Sequence, residues 1–178
     1  GARVAIFLPN GVEAVAAIYA TLKAGGVFVA VNRTTKPERL RHILRHSGAA
    51  ALVTDARGVA ENGSGIAGGL RALVVAGMRA NGHETAPGAL SFEGIQETAP
   101  DTRPRTSNID LDLACLIYTS GSTGGPKAVM SDHSNMLFAA NSIISYLNNQ
   151  PSDVVIDVLP LSFDYGLYQL IMTMLFGG

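Results

Sequence analysis

Apolar positions along the chain follow two rhythms. Unbroken short runs recur at RVAIFLP (3–9), VFVAV (27–31), AALVT (50–54), ALVVA (72–76), LDLACLIY (111–118), KAVM (127–130) and VVIDVLP (154–160). Between them apolar residues return with helical spacing: Val12, Val15, Tyr19 and Leu22, then Leu40, Ile43 and Leu44. The same spacing joins Met136, Leu137, Ala140, Ile143, Ile144 and Leu147, and a last segment covers 165–176. Short unbroken runs predict strands, and the spaced positions predict helices with one apolar stripe. Strands alternating with helices of about a dozen residues predict βαβ units and a parallel sheet.

Helix boundaries carry their own signals. Asn10 with Glu13 three residues on, and Thr35-Lys36-Pro37-Glu38, predict capped starts, and Gly25 and Gly48 predict ends. From 77 to 110 the text turns to Gly, Pro, Thr and Asn, with one short helical stretch at 91–97. The predicted fold is therefore α/β, with mostly parallel sheets flanked by helices in two βαβ-type subdomains. Residues 1–106 form the first, ending in a connecting segment at 77–106. Residues 107–178 begin the second and carry a glycine-rich loop at 118–128.

Composition narrows the class. Of 178 residues, 47% are hydrophobic and 15% charged, which suits a folded core rather than a disordered chain. The net charge of −1 gives no footprint for nucleic acid or an anionic membrane. No apolar stretch reaches the roughly 20 residues of a spanning helix. Arg33, Lys36, Arg39, Arg41 and Arg45 gather at 33–45 and read as a solvated helix face. The single cysteine, Cys115, lies in an apolar run, so it is expected to be a buried inert thiol, and the chain cytoplasmic. The chain opens on a strand and stops after a helix, and reads as a piece of something longer.

The chemistry concentrates in YTSGSTGGPKAVM (118–130). Glycines at 121, 124 and 125 let backbone N–H groups approach a ligand, and Thr119, Ser120, Ser122 and Thr123 add neutral donors. Lys127 adds a positive charge. Many donors and one cation suit the acceptor-only oxygens of a polyphosphate. The stretch is not a Walker A loop, which needs its lysine before Ser or Thr at a helix start. Here Pro126 precedes Lys127, Ala128 follows it, and a strand comes next. GSGIAG (63–68) fits G-x-G-x-x-G but neither leaves a strand nor opens a helix, so it is set aside as a dinucleotide site. His42 and His46 have metal-compatible spacing without an acidic partner, and read as exposed.

YTSGSTGGPKAV closely resembles the phosphate-binding signature of the adenylate-forming superfamily, which includes acyl-CoA synthetases and nonribosomal peptide synthetase adenylation domains. LKAGGVFVAVN with KPERLRHILRHSGAAALVTD is similar to that family's upstream segment, and VLPLSFDYGLYQL to its downstream strand and substrate-pocket helix. The resemblance implies a fragment of the N-terminal domain of an ATP-dependent, AMP-forming acid ligase. Thr119, Ser120, Gly121, Ser122, Thr123 and Gly124 would wrap the β- and γ-phosphates of ATP, with Lys127 as catalytic charge or anchor. Magnesium would accompany the ATP, with no protein ligand for it identified in this chain. The acyl group would pass to coenzyme A or, alternatively, an amino acid would load the phosphopantetheine thiol of a carrier protein. A non-catalytic nucleotide-binding module is the alternative of another class. Phe163 and Asp164 are expected in the substrate pocket. Asp164 stands either as a ligand for a substrate ammonium or as a residue that shapes the pocket or caps the next helix. The family's usual glycine is Ala128 here, and the serine amino-acid-adenylating members carry two residues after the aspartate is Gly166. His133 and Asn135 match a recurrent His-x-Asn read as structural, with Asp132 or Ser134 as the cap. The family's later adenine-, ribose- and magnesium-binding motifs are absent, so the chain alone is expected to be inactive.

Overall fold

Strands covered on both faces show no polar side to water, and the unbroken apolar runs at 3–9, 27–31, 50–54, 72–76 and 111–118 become largely buried strands. The computed structural model describes residues 1–78, 86–119 and 127–178. Its strands are β1 (Arg3–Phe7), β2 (Val27–Ala30), β3 (Ala49–Asp55), β4 (Ala72–Ala76), β5 (Leu90–Ser91), β6 (Leu113–Thr119) and β7 (Lys127–Asp132). They form one seven-stranded sheet in the order β5-β4-β3-β1-β2-β6-β7. Every neighbouring pair is parallel except β6 and β7, which are antiparallel. β6 joins the sheet beside β2, with Phe28 opposite Cys115 and Ala30 opposite Ile117. The segments on either side of residue 106 therefore share one sheet.

Six helices cover it: α1 (Val12–Lys23), α2 (Pro37–Ser47), α3 (Ala56–Asn62), α4 (Phe92–Thr98), α5 (His133–Leu147) and α6 (Asp164–Phe176). Leu40, Ile43 and Leu44 of α2 and Val59 of α3 pack with Phe7, Val29, Leu52 and Val75 on one face. Ile18 of α1, Met136 of α5 and Leu167 and Leu170 of α6 pack with Phe28 and Ile117 on the other. Burying Phe7 and Phe28 completely stabilises the sheet by about 1.5–3 kcal/mol each.

Several local expectations are corrected. α1 turns its small residues inward: Ala14, Ala17, Ile18 and Thr21 are buried while Val12 is 77% exposed. Small side chains let the helix approach the sheet closely, and Val12 falls in the first turn. Asn10 does not cap α1, whose cap position is Gly11 without a side-chain bond. The start of α2 is Lys36 followed by Pro37, again without a side-chain cap, so the Thr35 box does not form. Its end is as expected, with Gly48 left-handed at φ 62°. Residues 154–160 join no strand among the described residues, against the strand expected there; Asp157 O and Leu159 O instead face Asn10 Nδ2 at 3.5 and 2.8 Å. α3 and the 3-10 turn Ser64–Ala67 fill the stretch that holds GSGIAG, which is neither the end of a strand nor the start of an α-helix. Arg33 is no solvated residue. It pairs with Asp55 (3.1 Å) and Glu61 (2.7 Å) and lies 4.6 Å above the Phe7 ring, with 17% of its side chain exposed.

Candidate active site

β6 and β7 form an antiparallel hairpin, and its last pair is Thr119 opposite Lys127. The glycine- and hydroxyl-rich stretch is thus suspended from two fixed ends. Ser120, Gly121, Ser122, Thr123 and Gly124, with Gly125 and Pro126, lie outside the described residues. Thr119 and Lys127 are both exposed, facing solvent at the mouth of the hairpin. The element after Lys127 is a strand, as expected, so no helix dipole is aimed at this loop.

Tyr118, one residue before the loop, is buried, and its hydroxyl lies 2.7 Å from His46 Nδ1 on α2. The two rings meet edge to face at 5.7 Å, and His42 stacks on His46 at 5.5 Å. His42 and His46 are exposed, as expected, and through its bond to Tyr118 His46 also ties α2 to the stem of the loop. Burial pushes the Tyr118 phenol above its ordinary pKa, so the hydroxyl stays protonated at neutral pH and can donate to the imidazole.

The far stem is fixed equally well. Asp132 caps α5: its Oδ1 accepts from Asn135 N at 2.7 Å and from Ser134 Oγ at 2.8 Å. His133 N and Ser134 N donate to the carbonyls of Asp112 and Asp110. These bonds pin the β7–α5 junction to the turn before β6. Asn135 belongs to this structural knot. His133 sits in it through its backbone.

Phe163 and Asp164 are adjacent in sequence but line different cavities. Phe163 faces a cavity at the carboxyl ends of β2 and β6, together with Tyr118 and Ser162. Asp164 lines a second cavity of about 490 Å³ between α5 and α6, with Tyr165, Tyr168, Gln169 and Met172. Asp164 is exposed, occupies the first turn of α6, and caps nothing: Phe163 is the cap position, without a side-chain bond. It makes no ion pair or hydrogen bond among the described residues. Gly166 is fixed by its surroundings, because a Cβ there would stand 2.5 Å from Leu159 O and 2.6 Å from Pro160 O.

The polar residue that organises this end of the molecule was missed as such by sequence reasoning. Asn10 Nδ2 donates to Leu159 O at 2.8 Å, and Asn10 Oδ1 accepts from Leu161 N at 3.1 Å. It thereby holds the turn before α6 against the end of β1. Cys115 is a buried free thiol, pushed by burial up to about 11, and has no chemistry at neutral pH.

This arrangement of sheet, hairpin and stems can be set beside known proteins. The family model described as AMP-binding enzyme matches residues 1–178. The chain belongs to the AMP-binding enzyme family. Among relatives, syringomycin synthase SyrB1 of Pseudomonas syringae pv. syringae is 30% identical over 178 residues, all of this chain and 26% of that protein. Sulfoacetate–CoA ligase of Cupriavidus necator is 32% identical over 167 residues, 94% of this chain and 31% of that one. Among solved structures, the anthranilate CoA ligase AuaEII in complex with anthranoyl-AMP superposes with a TM-score of 0.90 at 27% identity. That match covers the whole of this chain and 34% of AuaEII. The chain thus spans about a third or less of the length of these members of the AMP-binding family. Among its described residues no three His, Cys, Asp or Glu side chains gather closely enough to hold a metal ion. No helix is long and apolar enough to cross a membrane among the described residues.

Proposed function

We propose that the protein carrying this chain activates a carboxylic acid with ATP, forming an acyl-adenylate and releasing pyrophosphate, and passes the acyl group to the thiol of coenzyme A. The observation that carries this reading is the hairpin whose closing pair, Thr119 and Lys127, brackets the seven residues SGSTGGP. In such a reaction a carboxylate oxygen attacks the α-phosphorus, the bond to the bridging oxygen breaks, and pyrophosphate leaves with that electron pair. The protein's work is to hold the departing charge in place. Lys127 supplies a positive charge at one end of the loop. Thr119, Ser120, Ser122 and Thr123 supply hydroxyl donors, and Gly121 and Gly124 leave backbone N–H groups accessible. Rigid stems at His46–Tyr118 and Asp132 keep the ends of the loop fixed while it holds the nucleotide. Phe163 contributes an apolar wall for the acid.

A second reading has a specific observation in its favour. The carboxylate of Asp164 stands without a partner in the α5–α6 cavity beside two tyrosines. A substrate bearing an ammonium group would satisfy it, which makes the acid an amino acid and the acceptor a carrier-protein thiol.

Exchange of labelled pyrophosphate into ATP, driven by panels of fatty, aromatic and amino acids, tests both readings on the full-length protein. Exchange is expected with one panel, and Lys127→Ala combined with Ser122→Ala is expected to lower it by about 100-fold or more. Unchanged exchange in that variant would remove the loop from the reaction. Asp164→Ala abolishes exchange in the amino-acid reading alone. Silence across all panels from a folded protein that binds ATP would leave a non-catalytic nucleotide-binding module.

A further inference from the structure

The end of the sheet opposite the loop holds a cavity of about 730 Å³, within the range of roughly 300–1,000 Å³ typical of small-molecule sites. Leu22 and Lys23, in the last turn of α1, form one side of it, and residues from Asp101 to Thr106 form the other. α1 leads into β2 at its amino end, whereas the loop leaves β6 at its carboxyl end, and β2 and β6 are parallel neighbours. A strand rises about 3.3 Å per residue, so the seven residues of β6 set the cavity roughly 20 Å from the loop. The facing segment is held close to α1. Gly25 has φ 72°, and a Cβ on it would stand 2.7 Å from Asn108 Oδ1 and 3.2 Å from Thr106 Cγ2.

Charges of both signs line this cavity. Lys23, Arg103 and Asp101 face it and join no ion pair among the described residues, whereas Arg33 and Arg57 are committed to Asp55 and Glu61. Two cations and a carboxylate in contact would neutralise one another; held apart, they leave room for a ligand that carries both charges. The Arg103 guanidinium presents a fork to a carboxylate, and the Lys23 ammonium adds a point charge. The Asp101 carboxylate accepts from an ammonium group and repels a phosphate. Thr102 and Thr106 add hydroxyls, and Leu22 and Pro104 supply an apolar wall.

We infer that this cavity binds a small zwitterion, a free α-amino acid with an apolar side chain. Its carboxylate lies on Lys23 and Arg103, its ammonium on Asp101, and its side chain against Leu22 and Pro104. The site is separate from the hairpin loop and from the α5–α6 cavity that Asp164 lines, and it stands whether or not the full-length protein activates an acid.

Labelled leucine is the probe, measured by equilibrium dialysis against the full-length protein carrying Asp164→Ala, which removes the carboxylate from the α5–α6 cavity. Saturable binding is expected at roughly millimolar concentration or below. 4-Methylpentanoate lacks the ammonium and 3-methylbutylamine lacks the carboxylate, and each is expected to compete at least about tenfold more weakly than leucine. Lys23→Ala with Arg103→Ala is expected to weaken binding about tenfold or more, and Asp101→Asn several-fold, with circular dichroism unchanged. A saturating non-hydrolysable ATP analogue is expected to leave binding within about twofold, because the loop lies beyond the screening length. The inference is overturned if leucine does not bind saturably, or if either singly charged analogue competes as well as leucine. It is overturned equally if the Lys23 and Arg103 variant binds like its parent, or if the ATP analogue displaces leucine, since the leucine would then sit at the nucleotide's own site.

Discussion

Three carboxylates, Asp132, Asp153 and Glu61, show how single residues tie this fold to pH. Hydrogen bonds from Asn135 and Ser134 hold Asp132 below its ordinary 3.8, and bonds from Gln150 and Asn149 do the same for Asp153. Arg33 and Arg57 hold Glu61 below its ordinary 4.5. Each group gives up its proton more readily folded than unfolded. Their stabilisation is complete above the ordinary carboxylate range and fades as pH falls through the lowered folded values. Asp157 acts in the opposite sense, because burial raises its pKa. Urea midpoints measured from about pH 6 down to about pH 3 should therefore fall. Asp132→Asn keeps a competent helix cap but cannot titrate, so its midpoint should fall less steeply. Parallel curves for parent and variant would mean that Asp132 is not coupled to folding. Gly166 makes the same point about space. Gly166→Ala forces a methyl group against two carbonyl oxygens and is expected to cost about 1–3 kcal/mol. Gly65→Ala, with nothing within 4 Å, should change stability by less than about 0.5 kcal/mol. Equal melting of the two variants would refute the close approach at Gly166.

At the scale of elements, the turn before α6 rests on Asn10. Asn10→Ala removes two short bonds to residues 159 and 161 and is expected to lower stability by roughly 1–2 kcal/mol. Because the turn carries Ser162 and Phe163, the same change should loosen the cavity they line. Hydrogen exchange of the Leu161 amide reads it directly, and an amide as protected as in the parent would show that Asn10 is dispensable. This bond also marks where sequence reading fails. Asn10 before a helix looks like a cap, and nothing local announces a carbonyl 149 residues later. What was legible had local causes. Strands buried on both faces appear as unbroken apolar runs, and the apolar stripe and Gly48 of α2 sit where its pattern places them. The two strands around the loop were legible as a buried run, a glycine-rich stretch and a second run, but their antiparallel pairing was not. α3 was not, because ARGVAEN has a glycine at its centre and one large apolar residue. Residues 154–160 have the letters of a strand, but pairing belongs to a neighbour, and no letter within the run encodes one. The separation of Phe163 from Asp164 was hidden for a related reason: the first is the cap position, with extended dihedrals, and the second begins the helix, so adjacent side chains diverge.

For the molecule as a whole, the two sides of the sheet are not equally finished. The face under α2 and α3 is closed. On the side of α5 and α6 the run 154–160 exposes Val154, Ile156 and Val158 at 90%, 76% and 76%, and Met130, Phe138 and Tyr165 are also exposed. A run of alternating exposed apolar side chains outside the sheet is a surface on which another chain can associate. The chain expressed by itself is therefore expected to self-associate with rising concentration and to bind a hydrophobic dye. Replacing Val154, Ile156 and Val158 together by threonine keeps β-propensity while removing apolar surface, and should reduce both effects. Light scattering coupled to size exclusion reads the first and dye fluorescence the second. If the threonine variant associates as strongly as the parent, another surface drives association. If the parent stays monomeric at every concentration and binds no dye, the run is covered in solution, and its exposure is not a property of the folded chain.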